Sequence, residues 1–236
     1  MIGIDKLGCY VPKTVLPLTT LANARGVNSD KYTQGIGQYE MALVSNNEDI
    51  VTMACEAAHT ILDEHDKSVI DMILFATETG IDYSKAASIY ALDLLGLPTN
   101  TRAIELKQAC YASTGAMFLA MDYVRSHPTK KVLVLSSDIA WYGFESAGEV
   151  TQGSGAIAML ISMNPRLGTI TEGLKVVRNE KDFYRPIYSK VPIVDGKLSI
   201  TLYQDMLKEV EDHHPRRYTC FHLPFANMAI KANKML

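Results

Sequence analysis

Cys110 stands in the run Glu105-Leu-Lys-Gln-Ala-Cys110-Tyr-Ala-Ser-Thr-Gly115-Ala116, where a strand-like segment, 102–106, gives way to a helical pattern over 109–124. A thiol at a helix N-terminus lies near the positive end of the backbone dipole, which favours the thiolate and lowers its pKa. The position predicts a nucleophilic cysteine. A buried structural cysteine is the alternative, since free cysteines are among the most buried residues. Glu78 lies just past the apolar run Ile73-Leu-Phe-Ala76, within Thr77-Glu-Thr-Gly-Ile-Asp82. Parallel sheets carry ligands and catalytic groups at the carboxyl ends of their strands, and a carboxylate beside apolar residues suits general acid–base work. A solvated turn carboxylate fits the same composition. His222 closes a short apolar run and precedes Leu223-Pro224, where proline fixes the chain direction around the imidazole. A lone histidine there is more often a core or surface residue than a catalyst.

These residues need a scaffold, and the pattern supplies one. Segment 19–26 reads as a short helix stopped by Gly26, and 49–62 as a helix with an acidic first turn. The nearly continuous apolar run 69–76 predicts a strand covered on both faces, as do 131–137 and 155–162. A helix is expected over 84–95, ended by Gly96 and Pro98. This alternation predicts an α/β fold with a largely parallel sheet. From about Asn164 the texture changes: a less buried strand near 168–173, a loop-rich stretch 184–196, a helix over 198–213, and a last helical piece reaching Leu236.

The chain has 236 residues, 47% hydrophobic and 21% charged, as expected of a packed globular protein. A net charge of -3 and a pI near 6.1, without a Lys/Arg cluster, give no footprint for nucleic acid. The four cysteines (Cys9, Cys55, Cys110, Cys220) form no CxxC pair, which predicts a reduced, intracellular protein. No signal peptide is read at the start, and the apolar runs are too short for a bilayer, so a soluble, cytoplasmic protein without membrane partners is expected. His213-His214 and Cys220-x-His222 match no common zinc spacing, so no metal is expected. Gly35-Ile-Gly37 and Gly153-Ser-Gly155 lack the strand–GxGxxG–helix context of a dinucleotide site and read as tight turns.

Taken together, Thr77-Glu-Thr-Gly-Ile-Asp82, Glu105-Leu-Lys-Gln-Ala-Cys110-Tyr-Ala-Ser-Thr and Cys220-Phe-His-Leu-Pro-Phe-Ala-Asn-Met resemble motifs of the bacterial hydroxymethylglutaryl-CoA synthases. Gly35-Ile-Gly-Gln38, Gly148-Glu-Val-Thr-Gln-Gly153 and Val194-Asp-Gly-Lys-Leu-Ser199 do so too, from Ile2 to the C-terminus and in the family's order. The resemblance implies a thiolase-like αβαβα fold: residues 1–163 as the N-terminal half with the nucleophile, residues 164–236 as the beginning of a truncated second half. It implies condensation of acetyl-CoA with acetoacetyl-CoA and water to HMG-CoA in the mevalonate pathway of isoprenoid biosynthesis. Cys110 matches the acetylated nucleophile, Glu78 the general acid/base, and His222 the histidine that positions and polarises acetoacetyl-CoA. Those residue types suit acyl transfer, carbon-bound proton transfer and alkoxide stabilisation without redox cofactor or metal. Among substrate contacts, Thr151 and Ser199 match positions near the acyl group, Lys231 a lysine near the CoA phosphates, and Asn28 a position where relatives often carry aspartate. Lys31 lies close to Asn28 and could serve the CoA end. Each of these five is otherwise an ordinary turn or surface residue.

Relatives of this family continue further, through a second half that supplies an asparagine and a glycine-serine-rich loop, and they dimerise. The stretch between Ser199 and His222 is shorter than usual here, and Asn227 and Ile230 replace typical lysines. The alternatives are a carrier-protein-dependent HMG or 3-ketoacyl synthase, and a non-catalytic CoA-binding remnant. Glu78 in its motif argues against the 3-ketoacyl synthase, whose relatives rely on histidine and asparagine.

Overall fold

The computed structural model describes residues 1–171, 173–210 and 218–234. In chain order the elements begin with β1 (Ile2–Tyr10), β2 (Thr14–Pro17), α1 (Leu18–Ala24), α2 (Asp30–Thr33), β3 (Glu40–Leu43) and α3 (Ile50–His59). Next come α4 (Glu64–Val69), β4 (Ile70–Ala76), α5 (Ala87–Leu94), β5 (Arg102–Leu106), α6 (Ala112–Ser126), β6 (Lys131–Ala140) and β7 (Gly153–Met163). The chain then forms β8 (Gly168–Thr169), β9 (Phe183–Tyr184), β10 (Ile193–Val194), α7 (Gly196–Glu209) and α8 (Asn227–Asn233). Contacts divide it into two compact units, one of residues 1–14, 42–140 and 153–171, the other of residues 15–41, 141–152 and 172–236.

The first unit is built on a six-stranded sheet of order β5-β4-β6-β7-β1-β8. β4 runs parallel to β5 and β6, whereas β7 is antiparallel to β6 and to β1, and β8 is antiparallel to β1. The sheet is therefore mixed, not largely parallel as the sequence pattern predicts. An apolar run reports burial on both faces and is silent on direction. The direction follows from the connection: segment 141–152 carries only the 3-10 turn Glu149–Thr151, too little helix for a parallel crossover.

Side-chain alternation along the strands divides the core in two. Ile73, Phe75, Leu133, Leu135 and Leu160 face α3 and α5, while Met72, Leu74, Val132, Val134 and Ile161 face α6. Ala112, Ala116, Ala120 and Val124 recur every fourth position along α6, giving it a narrow stripe of small residues that seats it on the sheet.

Local chemistry sets the helix starts. Asp49 caps α3 by accepting from the Val51 and Thr52 amides, and Thr52 completes the capping box. The helix expected from Ser84 begins at Ala87 instead. Asp82 Oδ1 accepts from the Ser84 and Lys85 amides at 2.7 and 2.9 Å, making a turn of those residues. The Ala87 amide is taken by Glu105 Oε2 at 2.7 Å, so a carboxylate from β5 caps α5.

The second unit centres on Leu18, Leu21, Met41 and Val150. Arg25 and Glu149 form a bidentate pair within it, Nε to Oε2 at 2.8 Å and Nη2 to Oε1 at 2.7 Å, fixing the turn that carries Thr151. α7 starts at Gly196 under the Asp195 cap, and Glu209 is its last residue. His213, where the expected helix ends, and its neighbour His214 lie outside the described residues, as does Leu236. Among the described residues no cluster of three or more metal-ligating side chains occurs, and no helix is long and apolar enough to cross a membrane.

Candidate active site

β4 and β5 are parallel neighbours in register Phe75↔Glu105 and Ala76↔Leu106, and the Thr77 amide continues the ladder to the Leu106 carbonyl at 3.3 Å. Two adjacent strands thus end together. Glu78 follows the end of one and Cys110 the end of the other, at the carboxyl edge where parallel strands present their loops. Cys110 does not begin α6. It lies in a separate 3-10 turn, Ala109–Tyr111, entered through Ala109 at φ 43°, a left-handed conformation unusual for a residue with a Cβ.

A second carboxylate, not among the residues singled out from sequence, organises this edge. β6 pairs with β4 through Ala76↔Ser136, which brings Asp138 level with the Thr77–Thr79 turn. Asp138 Oδ1 accepts from Thr77 Oγ1 at 2.7 Å, Thr79 Oγ1 at 2.7 Å, the Glu78 amide at 2.8 Å and the Thr79 amide at 3.1 Å. Thr79 Oγ1 also accepts from the Ile139 amide at 3.1 Å. Both threonines and the backbone on either side of Glu78 are thereby tied to β6. The available signal was an acid ending a long apolar strand, one residue past the predicted end at Ser137.

The electrostatics reverse one expectation. The Cys110 thiol is pushed up to about 11, first by the protein packed around it and then by the negative charges of Glu78 and Asp138. A backbone hydrogen bond at Cys110 works the other way and is the smallest contribution. The depressed pKa predicted from a helix N-terminus is thus overturned: two carboxylates and desolvation outweigh the amides of one 3-10 turn. The residue keeps an exposed surface, so a thiol surrounded by protein still opens to solvent.

The remaining predicted residues belong to the second unit. His222 lies in an irregular segment and is exposed; burial of its imidazole lowers the pKa. Ser199, on α7, donates Oγ to Asp182 Oδ2 at 2.8 Å, and Thr151 donates Oγ1 to the Gly148 carbonyl at 2.9 Å. Asn28 is exposed and accepts from the Asp30 amide at 2.9 Å, opening the short helix α2 that carries the exposed Lys31. Lys231 lies with its Nζ 5.2 Å from the Phe225 ring centroid. Asn227, the first residue of α8, donates Nδ2 to the Gln34 and Gly35 carbonyls at 2.9 and 3.1 Å, tying the helix of Lys231 to the loop after α2. Gly37, at φ 78°, is required there, because a Cβ would stand 2.6 Å from Asn227 Oδ1.

Residues 1–166 match the family described as hydroxymethylglutaryl-coenzyme A synthase N terminal. The hydroxymethylglutaryl-CoA synthase of Enterococcus faecalis is 42% identical over 241 residues, covering 98% of this chain and 63% of that protein. A crystal structure of an HMG-CoA synthase complexed with CoA superposes with a TM-score of 0.96 at 40% identity, over 99% of this chain and 63% of the other. The HMG synthase of the curacin biosynthetic pathway, in complex with acetyl donor-ACP, gives a TM-score of 0.85 at 29% identity, over 99% of this chain and 61% of the other. The chain spans less than two thirds of the length of these relatives. Its fold is thiolase-like, and the chain belongs to the hydroxymethylglutaryl-CoA synthase family.

Proposed function

We propose that this chain is an HMG-CoA synthase polypeptide, an acyltransferase that joins acetyl-CoA to acetoacetyl-CoA through an acetyl-cysteine intermediate. The observation that carries the reading is the pairing of Cys110 with Glu78 at the ends of adjacent parallel strands, with Asp138 fixing the Glu78 turn. In the first step the Cys110 sulfur attacks the thioester carbonyl of acetyl-CoA; a new S–C bond forms, the bond to CoA sulfur breaks, and the thiol proton leaves with CoA. Glu78 then removes a proton from the acetyl methyl group. The resulting enolate carbon bonds to the ketone carbon of acetoacetyl-CoA while His222 polarises that ketone, and the protonated Glu78 returns its proton to the new alkoxide. Water cleaves the Cys110 thioester, releasing HMG-CoA as the free carboxylic acid and restoring the thiol. Bonds are exchanged without net oxidation or reduction, so the sequence of steps calls on no redox cofactor.

Thr151 and Ser199 are assigned to the acyl end of the substrates, Lys31 and Lys231 to the CoA end, and Asn28 to a substrate contact beside Lys31. The two lysines supply positive charge on helices joined by Asn227, which suits phosphate groups. The four free thiols support a reducing, cytoplasmic setting, with the mevalonate route of isoprenoid synthesis as the pathway. A homodimer is supported by β5, an edge strand of the sheet whose Ile104 is 46% exposed. The test is to supply isotopically labelled acetyl-CoA with unlabelled acetoacetyl-CoA and follow the products by mass spectrometry. Labelled HMG-CoA that vanishes in Cys110→Ala supports the reading. Absence of product from folded chain refutes it for the chain by itself. The curacin-pathway neighbour favours a second reading, a carrier-protein donor or acceptor; product formed only with acyl-carrier-protein thioesters would establish it over the first.

A further inference from the structure

His222 belongs to a stretch, 218–223, without regular secondary structure, so no helix or strand ladder fixes its position. Two contacts from α7 do so instead. The Tyr203 hydroxyl donates to the His222 carbonyl oxygen at 3.1 Å, and the two rings lie 6.5 Å apart between centroids at an interplanar angle of 29°. One residue therefore restrains both the backbone and the ring of the histidine. Tyr203 follows Ser199 by one helical turn, so the two share a face of α7. Ser199 anchors that face through Asp182 Oδ2, and Asp195 fixes the start of the helix through the Lys197 and Leu198 amides.

We propose that Tyr203 is a positioning residue for His222, setting the placement of its imidazole through a backbone hydrogen bond and a ring contact. The inference rests on the assignment of His222 to the acetoacetyl group. An imidazole that must meet a ketone oxygen tolerates little displacement, and a side chain outside regular structure needs a partner whose own position is set. A tyrosine on a capped helix meets that need. Burial lowers the His222 pKa and raises that of the Tyr203 hydroxyl, which stays protonated and able to donate.

The experiment is an NMR titration of the His222 imidazole in the full 236-residue chain, with its resonance assigned by loss in His222→Gln. Tyr203→Leu removes the hydroxyl and the ring, and the expected result is a His222 pKa moved up toward the ordinary histidine value. Tyr203→Phe keeps the ring, and a smaller shift in the same direction is expected. In parallel, the dissociation constant for acetoacetyl-CoA is expected to rise several-fold in Tyr203→Leu, with the rate of Cys110 acetylation by acetyl-CoA unchanged. An unaltered His222 titration in both variants overturns the proposal. Should Tyr203→Leu fail to fold, the Phe variant decides alone. If His222→Gln leaves acetoacetyl-CoA binding intact, the assignment of His222 falls, whereas the coupling of Tyr203 to the imidazole is still judged by the titration.

Discussion

With its thiol pushed up to about 11, Cys110 is mostly protonated at neutral pH, so the proton must leave as the sulfur attacks a thioester. Cys110 owes this to the packing around it and to two carboxylates, Glu78 and Asp138, so its charge is set by residues far away in sequence. Raising the pH by one unit below that pKa should increase its alkylation by iodoacetamide about tenfold. Glu78→Gln removes one negative neighbour, and the alkylation profile should move to lower pH; Asp138→Asn should do the same. A profile unmoved in both would mean that burial alone holds the proton. The position of Cys110 was legible from its sequence neighbours, since a strand, a single cysteine and a run of small residues follow one another. Its protonation was not, because a helix-terminus argument sees only local amides while the opposing charges come from two other strands. Glu78 was legible for the same local reason, as the first acid beyond a buried strand.

The elements show where local signals succeed and where pairing decides. The runs at 69–76 and 131–137 announce strands through nearly continuous apolar character, and strands form at Ile70–Ala76 and Lys131–Ala140 because both sheet faces carry helices. Strand direction had no local signature, and the antiparallel return of β7 depends on a connection too poor in helix to cross over. The start of α5 was misplaced because its cap, Glu105, comes from β5 and lies beyond the reach of a local capping rule. Glu105→Ala should leave the Ala87 amide without its acceptor and cost about 1 kcal/mol of stability, measured by denaturant unfolding. Faster hydrogen exchange at the first turn of α5 should accompany it, with α3 unaffected. Equal protection in variant and parent would show that Glu105 is no cap.

At the scale of the whole chain, acidic stability and self-association give separate checks. Asp5, 6% exposed, accepts a bidentate pair from Arg166 and a bond from Lys131; chiefly the Arg166 guanidinium holds its carboxyl down at about 2. Its ordinary value is 3.8, so this group stabilises the fold by about 2 kcal/mol above pH 4, and that contribution is lost as pH falls through about 2. Asp5→Asn should lower stability at pH 7 and flatten the acid limb of the stability curve between pH 4 and 2. If the proposed homodimer pairs through the β5 edge, Ile104→Lys should lower the mass seen in light scattering to that of a monomer; a dimer that persists in the variant would place the interface elsewhere. Family membership was legible from motif order along the chain, whereas the partition into two interleaved units needed the structure, since residues 141–152 group with sequence far from them. The central claim is that Cys110 carries an acyl group, and peptide mass spectrometry after incubation with acetyl-CoA tests it most directly. The account predicts a single acetyl group on the peptide containing Cys110, lost in Cys110→Ala and retained in Glu78→Gln. A folded chain that stays unmodified, or an acetyl group on another cysteine, would contradict it.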